Sequence, residues 1–184
     1  MMNEERARLI EINKFLKKQN QAVMKMLEGY AALHFYYQQL FTKRNADEVI
    51  NLLLEFIVST FEKYDRDIMC AVFFADEETF EFQCREVYPT EADLKLFEAE
   101  LYEQTERGVV GWCINNQKIS FFKSMVNQRL PHGLVIPLYT PNKTLGLIFI
   151  NVDCDASFIT HETLQILELS CTQTSLFLDN LQFA

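Results

Sequence analysis

From Asn3 to Lys43 the chain runs without proline and with a single glycine, Gly29, and its apolar residues return every seven positions. Leu9, Leu16, Val23, Tyr30 and Tyr37 share one position of the repeat. Ile12, Gln19, Met26, Leu33 and Leu40 share the position three later. Nine of these ten seam residues are apolar, the pattern of a left-handed coiled coil. At about 1.5 Å per residue the helix is on the order of 60 Å long, more than one small domain can cover. The seam therefore predicts a second helix as its partner, the alternative being a helix folded back on its own domain. Gln19, the polar seam residue, is placed to fix register between two chains.

Lys43, Arg44 and Asn45 break the repeat, and Asn45 and Glu48 are spaced as a capping box for a new helix over 46–61. Val49, Leu52, Leu53, Phe56, Ile57 and Thr60 lie on one side of it. A strand from Ile68 to Ala75 follows, then a turn at Asp76-Glu77-Glu78 and a strand from Thr79 to Val87. A charged helix runs from Glu91 to Gln104 with Leu94, Phe97 and Leu101 on one face. Gly108 and Gly111 bracket the start of a short helix that reaches Asn116, and Lys118 to Phe122 reads as a strand. Residues 134–153 place two apolar runs around the turn Thr140-Pro-Asn-Lys143, a buried β-hairpin. A last helix opens at Thr160 and carries Leu164, Leu167, Cys171, Thr174, Leu178 and Leu181 at alternating spacings of three and four.

The 184 residues, 49% apolar, suffice for one domain that folds without disulfide or metal staples. The expected division is an N-terminal coiled-coil helix over 1–44 and an α+β domain over 45–184. A formal net charge of −9 and the lack of a Lys/Arg stripe argue against nucleic acid, since phosphate binding needs cations to displace counterions. No run approaches the ~20 apolar residues of a membrane span, and the charged N-terminus lacks an apolar signal run. The expectation is a cytoplasmic protein with no membrane insertion.

In order and spacing, Gly108-Val-Val-Gly-Trp112, Val135-Ile-Pro-Leu138, Leu145-Gly-Leu-Ile-Phe149 and Phe158-x-x-x-Glu162 resemble the GAF family of small sensory domains over residues 46–182. The resemblance implies a GAF-like fold, of the profilin-like and PAS-related kind. Its central antiparallel sheet would have five to six strands, with terminal helices on one face and ligand-covering segments on the other. It also implies a homodimer built from the terminal helices. The expected interface is Leu9, Ile12, Leu16, Val23, Met26, Tyr30, Leu33, Tyr37 and Leu40, with Leu167 and Leu178 of the last helix. The implied ligand pocket has walls from Phe82, Trp112, Ile119, Phe121, Met125, Arg129 and His132. The segment between Phe122 and Leu134 is short for a domain of this kind, which suggests a small ligand or a closed pocket.

The chain offers little catalytic chemistry. His34, His132 and His161 are too far apart in sequence for a metal motif, and the five cysteines contain no C-x-x-C pair. Cys70 and Cys171 read as core thiols, and Cys84 and Cys154 as the exposed pair. Cys113, at a helix start, is the thiol most placed for activation. Free methionine sulfoxide reductases of the family use cysteines in the pocket cover, and bilin-binding members attach the chromophore through one. Residues 122–134 contain none. The acidic runs at 76–78 and 98–106 read as solvated faces. The expected function is therefore a non-enzymatic regulatory domain in signal transduction, without metal or cofactor, sensing a small ligand or a protein partner. The alternatives are a scaffold with a vestigial pocket, the version expected of a chain that ends at Ala184, and a small-molecule redox enzyme.

Overall fold

The computed structural model describes residues 2–62, 66–76, 78–79, 81–89, 94–155, 157 and 159–182. Glu77 of the predicted turn, the predicted helix start at Glu91 and Phe158 of the last motif lie outside the described residues.

The long helix α1 spans Met2–Leu40. The capping box starts the next one as its spacing requires: the Glu48 amide donates to Asn45 Oδ1 at 2.9 Å, and Asn45 Nδ2 donates to Glu48 Oε1 at 2.8 Å. That helix, α2, spans Ala46–Glu62 and buries Val49, Ile50, Leu53, Leu54, Ile57 and Phe61. Strands β1 (Ile68–Ala75) and β2 (Phe82–Tyr88) follow. Between them the Asp76 carboxylate accepts the amides of Glu78 and Thr79 and closes the turn. Helix α3 spans Leu94–Glu106 and α4 spans Val109–Asn116. Gly108, at φ 78°, supplies the left-handed residue that joins them. Strands β3 (Ser120–Lys123), β4 (His132–Tyr139) and β5 (Thr144–Val152) precede the last helix, α5 (His161–Gln182). Thr160 caps α5 by accepting the Thr163 amide.

The five strands form one antiparallel sheet in the order β2-β1-β5-β4-β3. Side chains alternate across it, so each central strand feeds two cores. Cys70, Val72, Leu134, Ile136, Leu138, Ile148 and Ile150 face α1, α2 and α5. Ala71, Phe73, Val135, Leu147 and Phe149 face α3 and α4. The fold is α+β, as the residue pattern implied.

Two expected elements shift, with consequences. Strand β3 starts at Ser120 instead of Lys118, and Phe122 pairs with Gly133 on β4. A Cβ on Gly133 would lie 2.1 Å from the Phe122 ring, so glycine there seats the ring over the strand and pins the register. The inward face of α3 is Phe97, Glu100 and Gln104, all fully buried, while Leu94 is exposed.

Candidate functional site

Only the last third of α1 is used by its own domain. Leu33, Tyr36 and Leu40 are 4%, 2% and 2% exposed, packed with α2 and α5. The Tyr36 hydroxyl bonds to Thr174 Oγ1, which itself donates to the Ser170 carbonyl. Burial holds the Tyr36 phenol well above its ordinary range. Gly29 marks the point where α1 meets α5: a Cβ there would sit 2.3 Å from Ile166 Cδ1. The docked face thus runs through Gly29, Leu33, Tyr36 and Leu40. It is turned one position from the Tyr30–Tyr37 edge of the expected seam.

Ahead of Gly29, α1 projects as an arm. Leu9, Ile12, Leu16, Val23, Met26 and Tyr30 are all exposed, at 36% or more. Leu33, Leu40, Leu167 and Leu178, expected at the dimer interface, are instead buried in the chain's own core, with Tyr37 partly so. The burial is intramolecular: Leu33 and Leu40 pack with α2 and α5, and α5 in turn lies on β4. A groove of about 1810 Å³ opens between the arm and the ends of α2 and α5, with Lys14, Lys25, Phe56, Thr60 and Ile166 on its walls.

The second candidate lies under α3. The Glu100 carboxylate, fully buried, accepts the Ser124 hydroxyl and the Gln104 amide, the latter at 2.8 Å. Ser124 Oγ in turn accepts the amides of Val126 and Asn127. Asn127 Oδ1 accepts the Leu130 amide, and Asn151 Nδ2 donates to the Leu130 carbonyl. A polar chain therefore ties the β3–β4 loop to α3 and the sheet. Among the described residues, Gln104 Oε1 and Asn151 Oδ1 in this chain find no protein partner. Beside it, Phe73 and Phe122 pack edge-on or tilted against Phe149 at 5.7 and 5.8 Å and, with Phe97, fill the second core.

The expected pocket residues do not converge. Phe82 packs on the second core, but Trp112, Phe121 and Met125 are 51%, 42% and 70% exposed. The β3 register turns Ile119 and Phe121 off the α3–α4 face, and Ile119 packs on the first core. Arg129 pairs with Asp67 at 2.9 Å on the surface, and His132 stands 3.6 Å from Asp155. The residues that do converge are Glu100, Gln104, Ser124, Asn127 and Asn151. Glu100 and Gln104 were legible as partners of Phe97 at spacings of three and seven, but their polarity reads as a solvated face.

All five thiols are free, and only Cys84 is not buried. Cys154, expected in the open between two acids, is buried at the end of β5. Burial pushes Cys84 up to about 11 and Cys113 and Cys171 up to about 12, and it raises Cys70 and Cys154 as well. Cys113 donates to the Val135 carbonyl at 3.5 Å, a neutral thiol in the core. His34 bonds to Gln38 along α1. Among the described residues no three His, Cys, Asp or Glu side chains gather to hold a metal ion. No helix among them is long and apolar enough to cross a membrane.

No family sequence model and no curated protein matches this sequence. Solved structures do. The GAF domain of a phosphoenolpyruvate-protein phosphotransferase from Coxiella burnetii superposes with a TM-score of 0.63 at 12% identity, covering 86% of this chain and 96% of that one. The GAF domain of the potassium sensor histidine kinase KdpD from Escherichia coli gives 0.54 at 17% identity over 83% and 94%. A free methionine-R-sulfoxide reductase from Neisseria meningitidis, solved with its substrate, gives 0.62 at 11% identity over 86% and 93%. This chain has a GAF-like fold, and its first helix, α1, is long.

Proposed function

We propose that this protein is a non-enzymatic regulatory module of signal transduction that acts as a homodimer and passes the state of a bound partner along its terminal helices. The observation that carries the reading is the arm, an apolar seam exposed over three heptads on a helix whose last third is buried in its own domain. A surface of that kind is costly in water unless another helix covers it. The fold itself does not choose between sensor and enzyme, because both occur among its structural neighbours. The thiols support the non-enzymatic side: a nucleophilic cysteine needs a stabilised thiolate, and every shift here opposes one. Five unpaired cysteines also suit a reducing compartment, hence a cytoplasmic protein.

A second reading, that the module also takes a small ligand, is favoured by the α3 polar chain. Orphan acceptors at Gln104, which bonds to the buried Glu100, and at Asn151, at the other end of the same polar chain, are the groups a donor-rich ligand would satisfy. That ligand would have to displace the phenylalanine packing or enter beside it. Without one, the module is a scaffold.

Native mass spectrometry of the purified protein tests both. A dimer supports the regulatory module, and a retained small-molecule adduct supports the ligand. A bare monomer at micromolar concentration contradicts the dimeric reading. Methionine sulfoxide reduction that disappears in a Cys84→Ser or Cys113→Ser variant would overturn the non-enzymatic one.

A further inference from the structure

We infer that the arms of two chains pair in parallel and in register, from Leu9 to Tyr30, and part at Gly29–Tyr30 where each helix turns onto its own domain. This rests on the dimeric reading above and adds the orientation and the extent of the interface.

Three observations carry it. First, apart from Arg8, the charge is kept off the flanks of the seam. With Leu9 and Leu16 at position a, Glu11, Lys14, Lys17, Lys18 and Lys25 fall at positions b, c and f, away from a partner helix. In a parallel pair the facing flank residues would be Arg8 with Asn13, Phe15 with Asn20, and Ala22 with Leu27, so no like charges meet. Segment 6–25 carries six cations and one anion, a net +5 in a chain of net −9. Pairing is still tolerated because that charge points outward.

Second, Gln19 decides the direction. In a parallel, in-register pair, d faces d, and the two Gln19 amides can donate to and accept from each other. In an antiparallel pair, a faces d, and Gln19 would lie against Leu16 or Val23 with its amide unsatisfied. A buried unpaired amide is heavily disfavoured, so the polar residue selects the parallel form.

Third, the body occupies a different side of the same helix. The domain covers Gly29, Leu33, Tyr36 and Leu40, heptad positions g and d. Tyr30, at position a, keeps 42% of its surface. The a-side therefore stays open up to Tyr30, and Leu33 and Leu40 are closed to a second chain.

The test is disulfide trapping in the whole 184-residue chain. Four of the native thiols are buried, which keeps background low. Val23→Cys and Ile12→Cys variants are oxidised alone and as a mixture, with Phe35→Cys, exposed but off the seam, as control. In-register pairing predicts that each seam variant links to itself, with about ten-fold more interchain product than the control, because facing seam Cα atoms lie within disulfide reach. Sedimentation equilibrium of the unmodified protein runs beside it. A dimer in which Val23→Cys links only to Ile12→Cys would be antiparallel, overturning this inference while the dimeric reading stands. A monomer with no trapping ends both. A monomer that instead binds vesicles of phosphatidylcholine and phosphatidylserine would make the basic arm a membrane-surface helix, and also overturns the inference.

Discussion

Between Gly29 and Leu40, α1 packs Leu33, Tyr36 and Leu40 under α2 and α5, while between Leu9 and Leu27 the same helix holds Leu9, Leu16, Val23 and Leu27 about half exposed. Both stretches carry the same repeat. In the docked stretch the seam turns from positions a and d to g and d, because Gly29 lets the helix approach Ile166 and Tyr36 reaches Thr174. A heptad repeat therefore says that a helix has a partner and leaves open which one. Here the chain's own domain takes the last third of the helix and leaves the seam ahead of it exposed.

If that division is right, substitutions in the two stretches should separate stability from association. Leu40→Ala, in the docked stretch, is expected to cost about 2–5 kcal/mol through the cavity it leaves. Urea unfolding at fixed protein concentration reads this directly. Leu16→Ala should leave the intradomain stability of an isolated chain near wild type, because Leu16 is half exposed and belongs to neither core. An equal loss in both variants would break the comparison.

Away from the helix, Ser124→Ala should cost about 1–3 kcal/mol. It removes a hydrogen-bond donor from a fully buried carboxylate and frees the β3–β4 loop from α3. Faster hydrogen exchange at Val126 and Asn127 should accompany it, since both amides bond to Ser124 Oγ. Tyr36→Phe should cost about 1 kcal/mol by deleting the bond to Thr174, with no change in oligomeric state.

The smallest effect is in alkali. The buried thiols Cys113 and Cys171 hold their protons to about 12, whereas unfolded thiols release them near 9. The native state then binds more protons above pH 9, so stability falls as pH rises through that range. By pH 9 the loss is about 0.4 kcal/mol per thiol, and below pH 8 these groups contribute no slope. Urea midpoints across pH 7–9 would show it.

Much of this architecture could be read from the residues. The Asn45–Glu48 box, the strand over 68–75 and the hairpin around Thr140–Lys143 each carry a strong local signal, and each folds where it is read. The candidate site was less legible for a stated reason. Phe121 and Phe122 are both aromatic, so alternation alone cannot say which faces α3. Gly133, on another strand, decides it. Glu100 and Gln104 belong to an acidic run, and only tertiary packing against the β3–β4 loop buries them. Cys154 follows the same rule, since its acidic neighbours mark the chain surface while its own side chain turns inward. Local pattern placed the elements, and long-range register placed the site.

The arm is proposed as an interface between chains, while the docked third of α1 is core. Sedimentation equilibrium of the wild-type chain against a Val23→Glu, Met26→Glu variant tests it most directly, because both positions are exposed in the single chain. A wild-type dimer is expected, with a folded, monomeric variant whose near-ultraviolet spectrum is unchanged. A wild-type monomer, or a variant that keeps the full dimer, would contradict it.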